Sequence, residues 1–174
     1  MSVVVGVLVC ASGLLGQQST SDRTYSEQNW QFAGGDWSSS RYSTLSDIST
    51  ETVDRLSGAW VTRLEGGASS RATPVVHDGI MYLTAGANIF ALDGATGESV
   101  WRSQLNNSAA DSRRVPSWQG VGLSEDLIFV GLRSAEVAAL RQDTGELVWA
   151  EPVGSIPAEH GETVTTAPMY AAGK

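Results

Sequence analysis

A single cysteine, Cys10, and two histidines, His77 and His160, are all that the 174 residues offer for sulfur or imidazole chemistry. One thiol excludes an intramolecular disulfide framework, and the Cys/His set is too small for a structural zinc. Basic residues are scarce too: 11 Lys and Arg stand against 19 Asp and Glu, for a formal charge of -8. Phosphate neutralisation needs clustered Lys and Arg, so a nucleic-acid-binding footprint is disfavoured. At 17% charged and 41% hydrophobic residues, the chain is too apolar for a disordered acidic tail and is expected to fold. Several catalytic signatures are missing: no Gly-x-Ser-x-Gly elbow, no His-Glu-x-x-His pair and no EF-hand string occurs. Gly120-x-Gly122 lacks the third glycine and the helix of a dinucleotide loop. His77 and His160 are isolated and read as surface or hydrogen-bonded histidines, and Glu159 and Glu162 as parts of a solvated loop.

The amino terminus carries a nearly unbroken apolar run, Val3 to Ala11, before a small-residue and polar stretch. It is too short to cross a hydrocarbon layer, which takes ~20 residues. It reads as the apolar region of a secretory signal peptide over residues 1–21, although no Lys or Arg precedes it, with residues 22–174 as one exported domain. A buried strand is the competing reading of the same valines.

Sixteen of the 19 glycines lie beyond residue 21, and beyond residue 60 the sequence falls into a repeat. The run from Ala91 to Trp101, with Asp93, Thr96-Gly97-Glu98 and Val100, returns from Ala139 to Trp149, 48 positions on, with seven of 11 residues identical. Apolar runs precede both copies, Ile80-Met81-Tyr82-Leu83 and Leu127-Ile128-Phe129-Val130. Thr73-Pro74 with Gly79 recurs as Ala167-Pro168 with Gly173, 94 positions on, or twice 47. A unit of about 47 residues built from short β-branched and aromatic runs with Gly-rich turns is the signature of a propeller blade, a four-stranded sheet. The fold expected is all-β: a partial β-propeller of about two and a half antiparallel blades. Thr-Gly can reverse the chain between two strands, and Asp93 can accept backbone N–H bonds across that turn where Arg141 in the second copy cannot.

Residues 22–60 differ in kind. Ser49 to Leu56 reads as one short helix, capped by Asp47 or Ser49 and ended by Gly58, and Ala59 to Leu64 as a strand of the first blade.

The two 11-residue copies resemble the tryptophan-docking motif, Ala-x-Asp-x-x-Thr-Gly-x-x-x-Trp, of the quinoprotein propellers. Trp30, Gly34-Gly35-Asp36, Arg41-Tyr42-Ser43, Leu45, Ile48, Val53, Leu56 and Ala59-Trp60 resemble the opening of a pyrroloquinoline-quinone (PQQ) dependent alcohol dehydrogenase, as does Ala72-Thr73-Pro74-Val75-Val76 before Asp78-Gly79. The resemblance covers residues 30 to 174. It implies an eight-bladed parent in the periplasm with PQQ and calcium in an axial funnel, oxidising an alcohol, polyol or sugar and passing electrons to a cytochrome c or a quinone. The calcium ligands and the aspartate base are expected beyond Lys174, so this chain contributes no catalytic residue. Three positions are implied to meet PQQ. Arg113, in Ser112-Arg113-Arg114-Val115, matches an arginine that reaches a cofactor carboxylate, and Thr165 a cofactor-contacting threonine, with Thr166 beside it as an ambiguity. Arg71 stands where the family usually carries a PQQ-binding glutamate. The paired adjacent cysteines found near the quinone are also missing, with Asn106 to Asp111 in that region. These two departures support the alternative, a non-catalytic propeller acting as a protein-binding scaffold.

Overall fold

A computed structural model describes residues 29–108, 112–154 and 161–174. The expected signal peptide and Cys10 lie outside the described residues, as do Glu159 and His160. Two antiparallel meanders make up the structure. The first is β1 (Val75–His77), β2 (Ile80–Ala85), β3 (Asn88–Asp93) and β4 (Ser99–Gln104), and the second is β5 (Gly122–Leu123), β6 (Leu127–Gly131), β7 (Glu136–Arg141) and β8 (Leu147–Pro152). Strand order in each sheet follows the sequence, so each is one blade of a partial β-propeller.

The repeat is reproduced at the level of register. Ala91 faces Trp101 across β3 and β4, and Ala139 faces Trp149 across β7 and β8, with an irregularity after each alanine. The two tryptophans therefore hold equivalent places in successive blades. The opening of a third unit also keeps its backbone. Asp78 and Gly79 turn β1 into β2 with φ of 47° and 78°, and Ala172 and Gly173 have φ of 48° and 82°. Positive φ at both central residues is what a tight type I′ hairpin needs. His77 faces Ile80 across the first turn, and 94 residues on Ala171 and Lys174 exchange both backbone bonds, at 2.7 and 2.9 Å.

The core lies between the blades. Val75, Tyr82, Ile89 and Ala91 of the first pack with Val121, Leu123, Ile128, Val130 and Leu140 of the second, and Ile89, Ile128, Val130 and Leu140 are fully buried. Each such aliphatic side chain contributes roughly 1.5–3 kcal/mol of burial. Trp101 adds a second tie: its ring lies over Gly145 and its indole N–H donates to the Gln142 carbonyl at 2.8 Å.

Two readings of the amino-terminal stretch are corrected. Only Val53–Arg55 is helical, as a single 3₁₀ turn, in place of the helix expected from Ser49 to Leu56. Val53 and Leu56 are 52% and 57% exposed, so the apolar face has no packing to extend a short helix. The Thr52 hydroxyl also donates to the Asp47 carbonyl and accepts the Ser49 N–H, a local arrangement that competes with helix. Residues 59–64 form no strand of the first blade, whose four strands begin at Val75. Trp60 instead holds this segment in place, donating to the Gly94 carbonyl at 3.1 Å and covering Gly97. Trp60 thus does for the first blade what Trp101 does for the second.

Candidate cofactor site at one end of the blades

Antiparallel order fixes which residues share an end. β1 enters where β2 leaves, β3 enters and β4 leaves, so residues 70–74, the connection before β5, the turn 132–135 and the run after β8 lie at one end. The Thr-Gly turns lie at the other. Arg71, Arg113 and Thr165 all fall at the first end, one before the first blade, one between the two blades and one after the second, and all three are exposed.

A cleft of about 190 Å³ opens at this end, lined by Phe32, Ser39, Thr73, Gln119, Gly122 and Thr166 among others. It brings together one polar side chain from each repeat unit: Thr73, Gln119 and Thr166. Arg71, Arg113 and Thr165 do not line it; Arg71 and Thr165 lie two and one positions from Thr73 and Thr166. Gln119 escaped notice as a site residue, though 47 added to Thr73 and subtracted from Ala167 both arrive at Gly120, its neighbour. Close chain approach shapes the cleft. A Cβ on Gly122 would overlap the Pro168 carbonyl oxygen, so glycine lets the third unit settle against β5.

The connection bearing Arg113 is built firmly. Val115 N–H donates to the Arg113 carbonyl at 2.8 Å, Arg133 N–H to Val115 at 3.0 Å, and Ser117 N–H to Gly131 at 2.7 Å. The buried Thr84 hydroxyl reaches across from the first blade to the Ser117 carbonyl at 2.9 Å. Arg114 forks onto Glu136, with Nε 3.1 Å from Oε2 and Nη2 2.8 Å from Oε1, and the Ser134 hydroxyl donates to the same carboxylate. The Arg133 guanidinium stands 5.8 Å from the centre of the half-exposed Trp118 ring. Beside the cleft the Ser40 hydroxyl and amide hold the exposed Asp36 carboxyl below the usual aspartate range. At the opposite end His77 Nδ1 lies 3.3 Å from the Gln142 amide oxygen, which makes it a hydrogen-bonded inter-blade contact.

Residues 30–159 match the sequence profile of the PQQ family described as glucose/ethanol/alcohol dehydrogenase, β-propeller domain. The chain belongs to this family. The quinoprotein alcohol dehydrogenase PedH of Pseudomonas putida is 34% identical over 142 residues, which are 77% of this chain and 23% of that protein. The dehydrogenase subunit of a quinone-linked alcohol dehydrogenase from Gluconobacter oxydans is 32% identical over 172 residues, 90% of this chain and 22% of its own length. The crystal structure of quinohemoprotein alcohol dehydrogenase from Comamonas testosteroni superposes with a TM-score of 0.70 at 31% identity, covering 84% of this chain and 22% of that one. A europium-containing methanol dehydrogenase shares the fold, with a TM-score of 0.71 at 23% identity. The chain thus spans under a quarter of the length of the PedH and Gluconobacter oxydans enzymes.

The donor set at this end suits the family's cofactor. Two exposed guanidiniums, an amide and hydroxyls are the groups that bind carboxylates. Calcium is another matter: among the described residues no three His, Cys, Asp or Glu side chains come together to hold a metal ion.

Proposed function

We propose that this chain supplies the opening blades of an exported, periplasmic PQQ-dependent dehydrogenase that oxidises alcohols, polyols or sugars. The observation that carries the reading is the cleft where Thr73, Gln119 and Thr166 of three successive units converge in a chain of that family. PQQ, when bound, supplies the two-electron oxidation. The chain's own residues at the same end, beside the cleft and not in its lining, hold it. Arg113 meets a cofactor carboxylate, Thr165 contacts the cofactor by its hydroxyl, and Arg71 replaces an acceptor with a second cation. The electron acceptor is a cytochrome c or a quinone, the two named for relatives from Thauera butanivorans and Gluconobacter oxydans.

A scaffold without catalysis is the second reading, favoured by Arg71 in the glutamate position and by the absent cysteine pair. Titration of the full-length protein with PQQ, followed by dye-linked oxidation of primary alcohols, separates the two. Saturable binding and turnover are expected; a full-length protein that binds no PQQ is a scaffold.

A further inference from the structure

Three of the chain's 11 basic residues, Arg113, Arg114 and Arg133, sit on two adjoining segments at the cleft end, in a chain of net charge -8. They are arranged unequally. Arg113 is exposed. Arg114 is drawn down onto Glu136 through two donor nitrogens, with side-chain exposures of 29% and 14% for the pair. That carboxylate also takes the Ser134 hydroxyl, and Glu136 begins β7, a core strand of the second blade. A bidentate fork fixes direction as well as distance, which a lysine contact would not.

We propose that Arg114 and Glu136 are a positioning pair: their clasp locks residues 112–117 onto the 132–136 turn so that Arg113, and the Trp118-Gln119 corner that follows, are presented to a flat polycarboxylate in one arrangement. The proposal rests on PQQ binding at this end. The chain path supports it. Arg114 lies between Arg113 and Val115, whose carbonyl accepts the Arg133 N–H, so the guanidinium fork and a backbone bond pin the same three residues from two sides. Freed from Glu136, Arg114 would repel its neighbour and add conformations that a ligand must select against, lowering apparent affinity by the fraction of competent protein.

The test is a double-substitution cycle on the full-length protein with PQQ as the probe, read by equilibrium titration and by amide exchange over residues 112–119. Glu136→Gln is expected to weaken PQQ about fivefold, equivalent to the ~1 kcal/mol of a strong, partly exposed ion pair. On an Arg113→Ala background the same change is expected to cost nothing more, because the pair acts through Arg113. Arg114→Lys keeps the charge and loses the fork, so it is expected to follow Glu136→Gln in direction with faster exchange, and it serves if the glutamine variant does not fold. Equal losses on both backgrounds would make the pair merely structural and overturn the proposal, as would unchanged affinity in both single variants. Absence of binding by the unsubstituted protein, seen before any substitution, would overturn the functional reading and this role with it.

Discussion

Trp101 of the first blade lies against Gly145 of the second so closely that a Cβ there would come within 2.8 Å of its ring atom Cδ2. Gly145 also has φ of 71°, in the left-handed region. Gly145→Ala therefore meets two costs, steric and conformational, and is expected to destabilise the protein by about 2–4 kcal/mol. Gly79 provides the control, with φ of 78° and nothing within 4 Å of an added Cβ. Gly79→Ala should cost only the backbone term of about 1–2 kcal/mol. Urea unfolding of both variants measures the difference, which is the contribution of the tryptophan contact; equal losses would show that the indole yields.

The turn between β3 and β4 carries a hydrogen-bonded carboxylate, Asp93, where the matching turn of the second blade has Arg141. Asp93 accepts the Thr96 N–H at 2.8 Å, the Thr96 hydroxyl at 3.0 Å and the Ala95 N–H at 2.9 Å. Those bonds, Thr96's first, hold its carboxyl below the ordinary aspartate range. A lowered folded-state pKa gives stability that is full above the unfolded-state pKa, about 4, and lost as pH falls through the folded value. Asp93→Asn is expected to flatten the acid limb of unfolding below about pH 4 and to lower stability between pH 5 and 8 by an amount that does not vary with pH. Arg141, at the matching place, offers no carboxylate, so Arg141→Ala should leave that limb unchanged. An acid limb insensitive to Asp93→Asn would remove the turn as its source.

The blades were legible because the repeat is carried by residues that do the same physical work twice. Ala91 and Ala139 are small where a tryptophan faces them, and Thr-Gly closes each turn, so spacing alone gave the register. The amino-terminal stretch was not legible from local pattern. Val53 and Leu56 share a helical spacing, but spacing does not tell whether anything packs on that face. Trp60 looked like part of a strand, while its role comes from a bond to Gly94, 34 residues away. The site was half legible. Resemblance pointed to Arg71, Arg113 and Thr165, one residue type at a time, whereas the cleft follows from where three units meet, which brings in Gln119 beside the invisible close approach at Gly122.

The outer face of the second blade leads to a prediction for the 174-residue chain expressed alone. Trp149, Val153 and Met169 are 37%, 64% and 57% exposed, and a hollow of about 420 Å³ lies between Phe129, Val137, Trp149 and Met169. Trp149 has no turn over it, among the described residues, of the kind that Gly97 gives Trp60 and Gly145 gives Trp101. An apolar sheet face of this kind favours association. Light scattering should rise steeply with concentration, and Val153→Lys with Met169→Lys should suppress it with little loss of stability, within ~0.5 kcal/mol for each exposed site. A chain that stays monomeric without these changes would contradict this.

Arg71 gives the sharpest test of how the cofactor end works, because glutamate is what the family usually places there. An acceptor at that position would hold a donor on the ligand; a guanidinium instead attracts its carboxylates, of which PQQ has three. If attraction is the role, Arg71→Ala should weaken PQQ binding to the full-length protein by roughly tenfold at low salt, a charge-assisted contact reduced by its exposure. The gap between Arg71→Ala and the unsubstituted protein should narrow toward 1 M salt, where screening acts over ~3 Å. Arg71→Glu then decides the sign. It restores the family residue but puts a negative charge near the cofactor's own, and it should bind PQQ more weakly than Arg71→Ala. Binding by Arg71→Glu at least as tight as by the arginine protein would mean that the site still needs an acceptor and that Arg71 points away from the ligand.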